Sequence, residues 1–243
     1  MNASTIPRRE RLIVALDVPS AAEARAFAQT LGDASCFYKI GLELFTAGGC
    51  FELLEWLVQR GNRVFVDLKF YDIPETVRRA VANLRGRGVT FATVHGNRSI
   101  MEAAGREKGD VKVLAVTVLT SFGASDLAEL GYAGDLEHLV LARARGALDA
   151  GCDGVIASGL EAPALKAAFD DRLLIVTPGI RPAAPGASPQ TRLPDDQKRT
   201  VDVSQAFANG ADYIVVGRPI RDARDPRAAA EAIQQTIAAI FPA

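Results

Sequence analysis

Charged residues stand at the carboxyl ends of three short apolar runs. The segment DLKFYDIPET at residues 67–76 carries Asp67, Lys69 and Asp72, while Asp17 and Lys39 belong to two earlier runs. Burying an ion costs several kcal/mol unless it is paired, so these groups either neutralise one another or serve a reaction. A lysine fixed among carboxylates is suited to stabilising negative charge that develops in a transition state.

A second set of residues, near the carboxyl end of the chain, is suited to binding an anion. Arg218 follows Gly217 directly after an apolar run, and Arg181 follows the segment TPGI. Backbone N–H groups beside a glycine, together with a guanidinium, match the charge of a phosphate dianion. Glycine followed by arginine is a weak motif by itself, and the alternative interpretation is a turn that carries a surface arginine.

Both sets must be positioned by a regular alternation of strands and helices. Amphipathic stretches between the apolar runs carry helix signals, such as the capping box Ser20-Ala-Ala-Glu23 with Gly32 at its end, and Asp225-Pro226. Strand–helix alternation predicts a parallel sheet, and eight strands predict closure into an α/β (β/α)8 TIM barrel. The eight apolar runs are residues 12–17, 37–41, 64–69, 91–95, 111–117, 154–158, 173–178 and 213–217.

The competing architecture is an open doubly wound sheet. That fold places a Gly-x-Gly-x-x-Gly turn after its first strand, where this chain has Asp17-Val-Pro-Ser. No linker or shift in composition divides the chain, so we expect one domain over residues 1–243.

Residues 181–199 interrupt the alternation with four prolines after the seventh strand. Loops of this length are usually lids, binding loops or disordered segments.

Strand geometry predicts that the charges of the third run lie together. Side chains two residues apart share a face of a strand, so we expect Asp67 and Lys69 to point the same way, opposite to Val66 and Leu68. Catalytic residues of barrel enzymes come from the ends of several strands at this rim. The alternative is a solvated or mutually neutralised cluster of ions.

Composition and charge argue against several classes of function. The formal net charge of −1 over 243 residues leaves no excess of cations for non-specific nucleic-acid binding. No apolar stretch approaches the ~20 residues of a membrane span, and the apolar run at residues 12–16 is too short for the apolar core of a signal peptide. The three cysteines and two histidines show no metal-binding spacing. We therefore expect a cytoplasmic protein with reduced, mostly buried thiols and no metal, and His95 is interpreted as a structural strand-end residue.

Several of these segments together resemble the orotidine 5′-monophosphate decarboxylase family. Residues 67–76 are similar to its Asp-x-Lys-x-x-Asp-Ile-Pro-x-Thr signature, and the likeness covers nearly the whole chain. Sugar-phosphate enzymes of the same superfamily share the Asp-x-Lys-x-x-Asp core, whereas the Ile-Pro-x-Thr extension, Lys39 and the loop with Gln197 favour the orotidylate branch. The other similar segments are LD at 16–17, YKIG at 38–41, LTS at 119–121, TPGIR at 177–181, DDQKR at 195–199 and VVGRP at 215–219.

The resemblance implies a homodimer that converts orotidine 5′-monophosphate to uridine 5′-monophosphate (UMP) and CO2 without a cofactor. Lys69 would protonate C6 of the pyrimidine, and Asp67 would lie near the departing carboxylate. Asp72 and Thr76 would enter the active site of the partner subunit, and residues 181–199 would close over the phosphate. The implied catalytic residues are Lys69, Asp67, Asp72 and Lys39, and the implied substrate-binding residues are Asp17, Lys39, Thr76, Thr120, Arg181, Gln197, Gly217 and Arg218.

Two other functions fit parts of the pattern. A metal-dependent sugar-phosphate enzyme of the same superfamily would share the charged core and would lose its activity in EDTA. A non-catalytic nucleotide-binding barrel would bind UMP without releasing CO2 from orotidylate. The intact set of Lys39, Asp67, Lys69 and Asp72 argues against this second alternative.

Overall fold

The structure is a computed structural model that describes residues 6–129, 131–132, 134–182 and 199–242. Eight parallel strands close into a barrel in sequence order, with β1 paired to β8, so the predicted TIM barrel is confirmed. The strands are β1 (Leu12–Ala15), β2 (Phe37–Gly41), β3 (Arg63–Phe70), β4 (Val89–His95), β5 (Lys112–Val116), β6 (Gly154–Ile156), β7 (Leu174–Thr177) and β8 (Tyr213–Val216).

Helices follow the strands and form the outer layer of the barrel. Nothing in the described part of the chain forms a helix long and apolar enough to cross a bilayer. The helices are α1 (Ala21–Leu31), α2 (Leu42–Thr46), α3 (Cys50–Gln59), α4 (Pro74–Ala82), α5 (Arg98–Arg106), α6 (Ala124–Glu129), α7 (Leu136–Asp149), α8 (Ala162–Phe169), α9 (Val203–Ala208), α10 (Arg218–Arg221) and α11 (Pro226–Ile240).

The predicted helix signals lie at helix ends. The Ser20 hydroxyl caps α1 by accepting a hydrogen bond from the Glu23 N–H at 3.2 Å, and it donates to the Glu23 carboxylate at 2.9 Å. Gly32 ends α1 with φ of 54°, a conformation that costs glycine little. The Asp225 side chain accepts from the Ala228 N–H at 3.0 Å and caps α11. Each such cap contributes about 1 kcal/mol to helix stability.

An aromatic layer fills the barrel interior on the side toward the amino ends of the strands. The rings of Phe37, Phe65 and Phe91 are buried, and Phe91 lies 5.3 Å from Phe37 and 5.9 Å from Phe65 between ring centroids. Burying one such side chain contributes roughly 1.5–3 kcal/mol. Because inward-facing positions recur every second residue, the next layer toward the carboxyl ends is set by the same strands. Its residues on β2, β3 and β4 are Lys39, Asp67 and Thr93.

Strand β3 leaves the regular extended conformation just where the candidate chemistry begins. Its pairing with β4 changes register between Val66 and Phe70, and Lys69 within this bulge has φ of 49°. A left-handed backbone costs a non-glycine residue roughly 1–3 kcal/mol, so the surrounding structure must hold Lys69 in place. The predicted regular alternation therefore does not extend through the backbone of Lys69. Strand β1 also ends before Asp17, which lies in the following loop.

The thiols and His95 occupy structural positions. Cys50 and Cys152 are buried as expected, and Cys36 is partly exposed. Burial raises the pKa of the Cys152 thiol to about 12 and that of the Cys50 thiol to about 11, so both are protonated at neutral pH. His95 ends β4, with its Nδ1 3.0 Å from the side-chain oxygen of Asn97.

Candidate active site

A cavity of about 310 Å³ opens at the carboxyl ends of the barrel strands. Pockets that bind small molecules begin near this size. Inward-facing apolar side chains such as Phe65, Val116 and Ile156 form its base. Its lining includes eight of the residues proposed from the sequence, namely Asp17, Lys39, Asp67, Lys69, Thr120, Arg181, Gly217 and Arg218.

Carboxylates and ammonium groups alternate along one wall of this cavity. Lys39 Nζ lies 2.9 Å from Asp17 Oδ1 and 3.6 Å from Asp67 Oδ2, and Lys69 Nζ lies 2.9 Å from Asp67 Oδ1. Each ammonium thus contacts a carboxylate, which offsets much of the desolvation cost. The side chain of Lys69 is 32% exposed, compared with 10% for Lys39, so Lys69 is the more accessible ammonium.

The ion chain keeps its two most buried members charged. Burial alone would raise the pKa of Asp67, but Lys39, Lys69 and a hydrogen bond from Thr93 outweigh it and lower that pKa. Burial would lower the pKa of Lys39, but Asp67 and Asp17 outweigh it and raise that pKa. A lowered carboxyl pKa stabilises the fold above the unfolded value of about 3.9, and this contribution is lost as the pH falls through the folded pKa. Both groups are therefore ionised at neutral pH.

Thr93 is a site residue that the sequence analysis did not select. It lies on β4, is fully buried, and its hydroxyl donates to Asp67 Oδ1 at 2.9 Å while accepting from the Lys69 N–H at 2.9 Å. A usable signal was present, because Thr93 lies two residues beyond Phe91 and so shares its inward face. A neutral hydroxyl costs far less to bury than a charge, so Thr93 does not stand out in the sequence as Asp67 and Lys69 do.

Arginines and glycine of the β7 and β8 loops lie at the same cavity. Gly217 precedes α10, and Arg218 is the first residue of that short helix. The Arg181 N–H donates to the Val201 carbonyl at 2.9 Å, which places Arg181 beside the last described part of the β7 loop. Arg221 also lines the cavity and donates to the Asp17 carbonyl at 2.7 Å. Its position one helical turn after Arg218 could have indicated it.

Two described residues proposed from the sequence, Asp72 and Thr76, are not among the residues that line the cavity of this subunit. Asp72 is exposed, and its Oδ1 accepts from the Ile73 N–H at 2.6 Å. Thr76 lies in the first turn of α4, where its N–H donates to the Ile73 carbonyl at 3.0 Å. Gln197 and most of the predicted lid over residues 181–199 lie outside the described residues.

A buried ion pair joins the end of the β7 loop to the β5 and β6 loops. Arg199 donates to Glu161 Oε1 at 2.6 Å and to the Leu119 carbonyl at 2.8 Å. The side chains are 10% and 7% exposed. Since Leu119 precedes Thr120 in the cavity lining, Arg199 connects the last residue of the predicted lid segment to the wall of the cavity.

Replacing Arg199 by methionine is expected to lower the free energy of unfolding by about 3–5 kcal/mol, because Glu161 would remain buried without its cation. Adding Glu161→Gln should recover much of this loss by removing the uncompensated charge. Urea unfolding followed by circular dichroism measures both. Arg227→Met is the matched control, since Arg227 pairs with Asp33 at the surface and should cost less than about 1 kcal/mol. Equal effects at the two sites would contradict a buried pair.

A parallel eight-stranded barrel with an ion-paired cavity at the carboxyl ends of its strands has the architecture of a barrel enzyme. Residues 10–233 match the model of the family described as orotidine 5′-phosphate decarboxylase / HUMPS. The chain belongs to this family.

Curated relatives and solved structures agree with this family over nearly full length. The chain is 58% identical over 238 residues to the orotidine 5′-phosphate decarboxylase of Methylococcus capsulatus, covering 98% of this chain and 96% of that one. It is 51% identical to the protein of the same name from Stenotrophomonas maltophilia, with both chains fully covered. The crystal structure of orotidine 5′-phosphate decarboxylase from Lactobacillus acidophilus superposes with a TM-score of 0.80 at 35% identity, covering 96% of this chain and 100% of that chain.

Proposed function

We propose that the chain is a carboxy-lyase that converts orotidine 5′-monophosphate to UMP and CO2, the last step of de novo UMP synthesis. One observation carries this proposal: the Lys69 ammonium, held 2.9 Å from Asp67, is accessible in a cavity that Arg181 and Arg218 also line. Such a cavity offers a cation for the reacting carbon and guanidinium groups for a phosphate. The names of the relatives at 58% and 51% identity support the same reaction.

Loss of CO2 from this substrate leaves an electron pair in an sp2 orbital at C6. No adjacent carbonyl group or imine can accept the pair by resonance, so the carbanion must be stabilised by nearby charge. We assign this stabilisation and the protonation of C6 to the Lys69 ammonium, and we assign Asp67 a position beside the departing carboxylate. The Asp67 carboxylate, 2.9 Å from Lys69 Nζ, holds the ammonium group in position.

One charge contact accounts for only part of the rate acceleration. Two unit charges at ~4 Å and an effective dielectric constant of ~20 interact by about 4 kcal/mol. An acceleration near the top of the usual range needs roughly 20 kcal/mol. The remainder must come from binding energy at parts of the substrate that do not react. This requirement gives the phosphate-binding residues a catalytic importance although they lie away from C6.

The remaining cavity residues are assigned to parts of the nucleotide. Arg181, Gly217 and Arg218 bind the phosphate, and residues 181–199, with Gln197, close over it. Asp17 and Lys39 hold ribose hydroxyls, and Thr120 contacts the substrate near the base. The cavity supports this assignment, because Asp17 and Lys39 form one end of the ion chain and Thr120 belongs to the loop after β5.

A homodimer with shared active sites completes the proposal. Tyr71 and Ile73, the neighbours of Asp72, are 64% and 68% exposed, and Leu42 on α2 is 57% exposed. Large apolar side chains exposed close together, as on the segment of Tyr71 and Ile73, suit a surface that another protein covers. A second copy on this surface would bring Asp72 and Thr76 toward the partner's cavity. We also place the protein in the cytoplasm, in keeping with its free thiols.

Loss of orotidylate absorbance, followed with and without EDTA, tests the reaction. We expect equal rates in both conditions and UMP as the product, because the ammonium of Lys69 supplies the charge that a metal ion would otherwise provide. Unchanged orotidylate absorbance, together with turnover of a sugar phosphate that EDTA abolishes and Mg²⁺ restores, would instead support a metal-dependent sugar-phosphate enzyme. UMP binding without release of CO2 would support a non-catalytic nucleotide-binding barrel.

A further inference from the structure

We propose that Thr93 is a positioning residue that fixes both the backbone and the carboxylate partner of Lys69; this role rests on the function proposed above. The Thr93 hydroxyl has one proton to donate and lone pairs to accept with. It donates to Asp67 Oδ1 and accepts from the Lys69 N–H, each at 2.9 Å. A single side chain on β4 thus contacts the main chain of Lys69 and the counterion of its ammonium group.

The hydrogen bond from the Lys69 N–H to the Thr93 hydroxyl stabilises an unfavourable backbone conformation. Lys69 is one of two non-glycine residues with positive φ in the described part of the chain, and it lies where β3 and β4 change register. At such a bulge the regular ladder between strands is interrupted, so a backbone N–H needs another acceptor. Thr93 provides that acceptor from within the neighbouring strand. The hydroxyl therefore stabilises the left-handed turn that starts the Lys69 side chain toward the cavity.

The hydrogen bond from Thr93 to the Asp67 carboxylate helps to fix the position of the Lys69 ammonium. Asp67 Oδ1 accepts from both Thr93 Oγ1 and Lys69 Nζ, each at 2.9 Å, while Oδ2 faces Lys39 Nζ at 3.6 Å. These contacts fix the orientation of the carboxylate, which in turn limits the positions open to the flexible lysine side chain. Catalysis by a preorganised charge requires this kind of restriction.

Thr93→Val tests the proposal, because valine keeps the shape of threonine and removes the hydroxyl. We expect kcat for orotidylate to fall roughly 10- to 100-fold, in line with displacement of a catalytic group by about an ångström. The KM should change by less than about threefold, since Thr93 is not among the residues lining the cavity. Thr93→Ser, which restores the hydroxyl, should recover most of the lost kcat.

Thr117→Val is the matched control for losing a buried hydroxyl. Thr117 lies directly after β5, is also buried, and donates to the Ile156 carbonyl at 2.8 Å without contacting the ion chain. The Thr117→Val variant should lose about as much stability as Thr93→Val but keep the wild-type kcat. The kcat values are measured at a temperature well below the midpoint of unfolding. A Thr93→Val enzyme with normal kcat, or a Thr93→Ser enzyme no better than Thr93→Val, would overturn the positioning role.

A second readout does not depend on turnover. The side-chain nitrogen signal of Lys69 can be followed by NMR in ¹⁵N-lysine-labelled protein and assigned with Lys69→Met. We expect it to shift or broaden in Thr93→Val and to match wild type in Thr93→Ser and Thr117→Val. An unchanged signal in Thr93→Val would reject the proposal. An inactive wild-type protein that still gave the expected pattern would reject the assigned reaction and keep the role of Thr93.

Discussion

Lys69→Ala is expected to lower kcat for orotidylate by about five orders of magnitude or more while the protein remains folded. Removing the ammonium charge removes about 4 kcal/mol of transition-state stabilisation, which lowers the rate roughly a thousandfold. Removing the proton donor forfeits a further ~10²–10⁴. Alanine and lysine both carry a Cβ, so the left-handed backbone at this position is no more strained in the variant.

Two measurements separate this loss from a general defect. Loss of orotidylate absorbance gives the rate, and calorimetric titration with UMP should give a dissociation constant within roughly tenfold of wild type, because the phosphate-binding residues are unchanged. Lys108→Ala is the matched control: Lys108 pairs with Asp153 at 2.7 Å, is similarly exposed, and lies away from the cavity lining. A Lys69→Ala enzyme that kept even about one hundredth of the wild-type rate would rule out the assigned proton donor.

Mixing two inactive variants, Lys69→Ala and Asp72→Ala, is expected to restore activity. If Asp72 acts in the partner's cavity, the heterodimer contains one site with an intact Lys69 and an intact Asp72. Random exchange makes half of the dimers heterodimers with one working site of two, so about a quarter of the wild-type activity should return. If Asp72 served its own subunit, every site in the mixture would lack one of the two residues.

Size-exclusion chromatography with light scattering must accompany this experiment, because subunits have to exchange before they can complement. Each variant incubated alone provides the baseline. Ile73→Asp should give inactive monomers, since it places a charge on the exposed apolar surface next to Asp72. Heterodimers that form without regaining activity would show that the site is not shared.

The architecture of this protein was predictable because the signals that set it are local. Alternating apolar runs and helix caps act over a few residues, so the eight strands and the caps at Ser20 and Asp225 could be derived without tertiary information. The charges at strand ends were also visible, since an unpaired ion at a buried position is unfavourable in any fold. Parallel strands then bring their carboxyl ends to one rim, and this property placed Asp17, Lys39, Asp67 and Lys69 together.

Contacts between residues far apart in the sequence were decided by the closure of the barrel. The bond from Arg221 to the Asp17 carbonyl joins residues 204 positions apart, and that from Arg199 to Leu119 spans 80 positions. The left-handed Lys69 and its contact with Thr93 depend on the register change between β3 and β4. No local propensity predicts these features, because the energy that holds a strained backbone or a buried arginine comes from partners brought close only when the barrel forms.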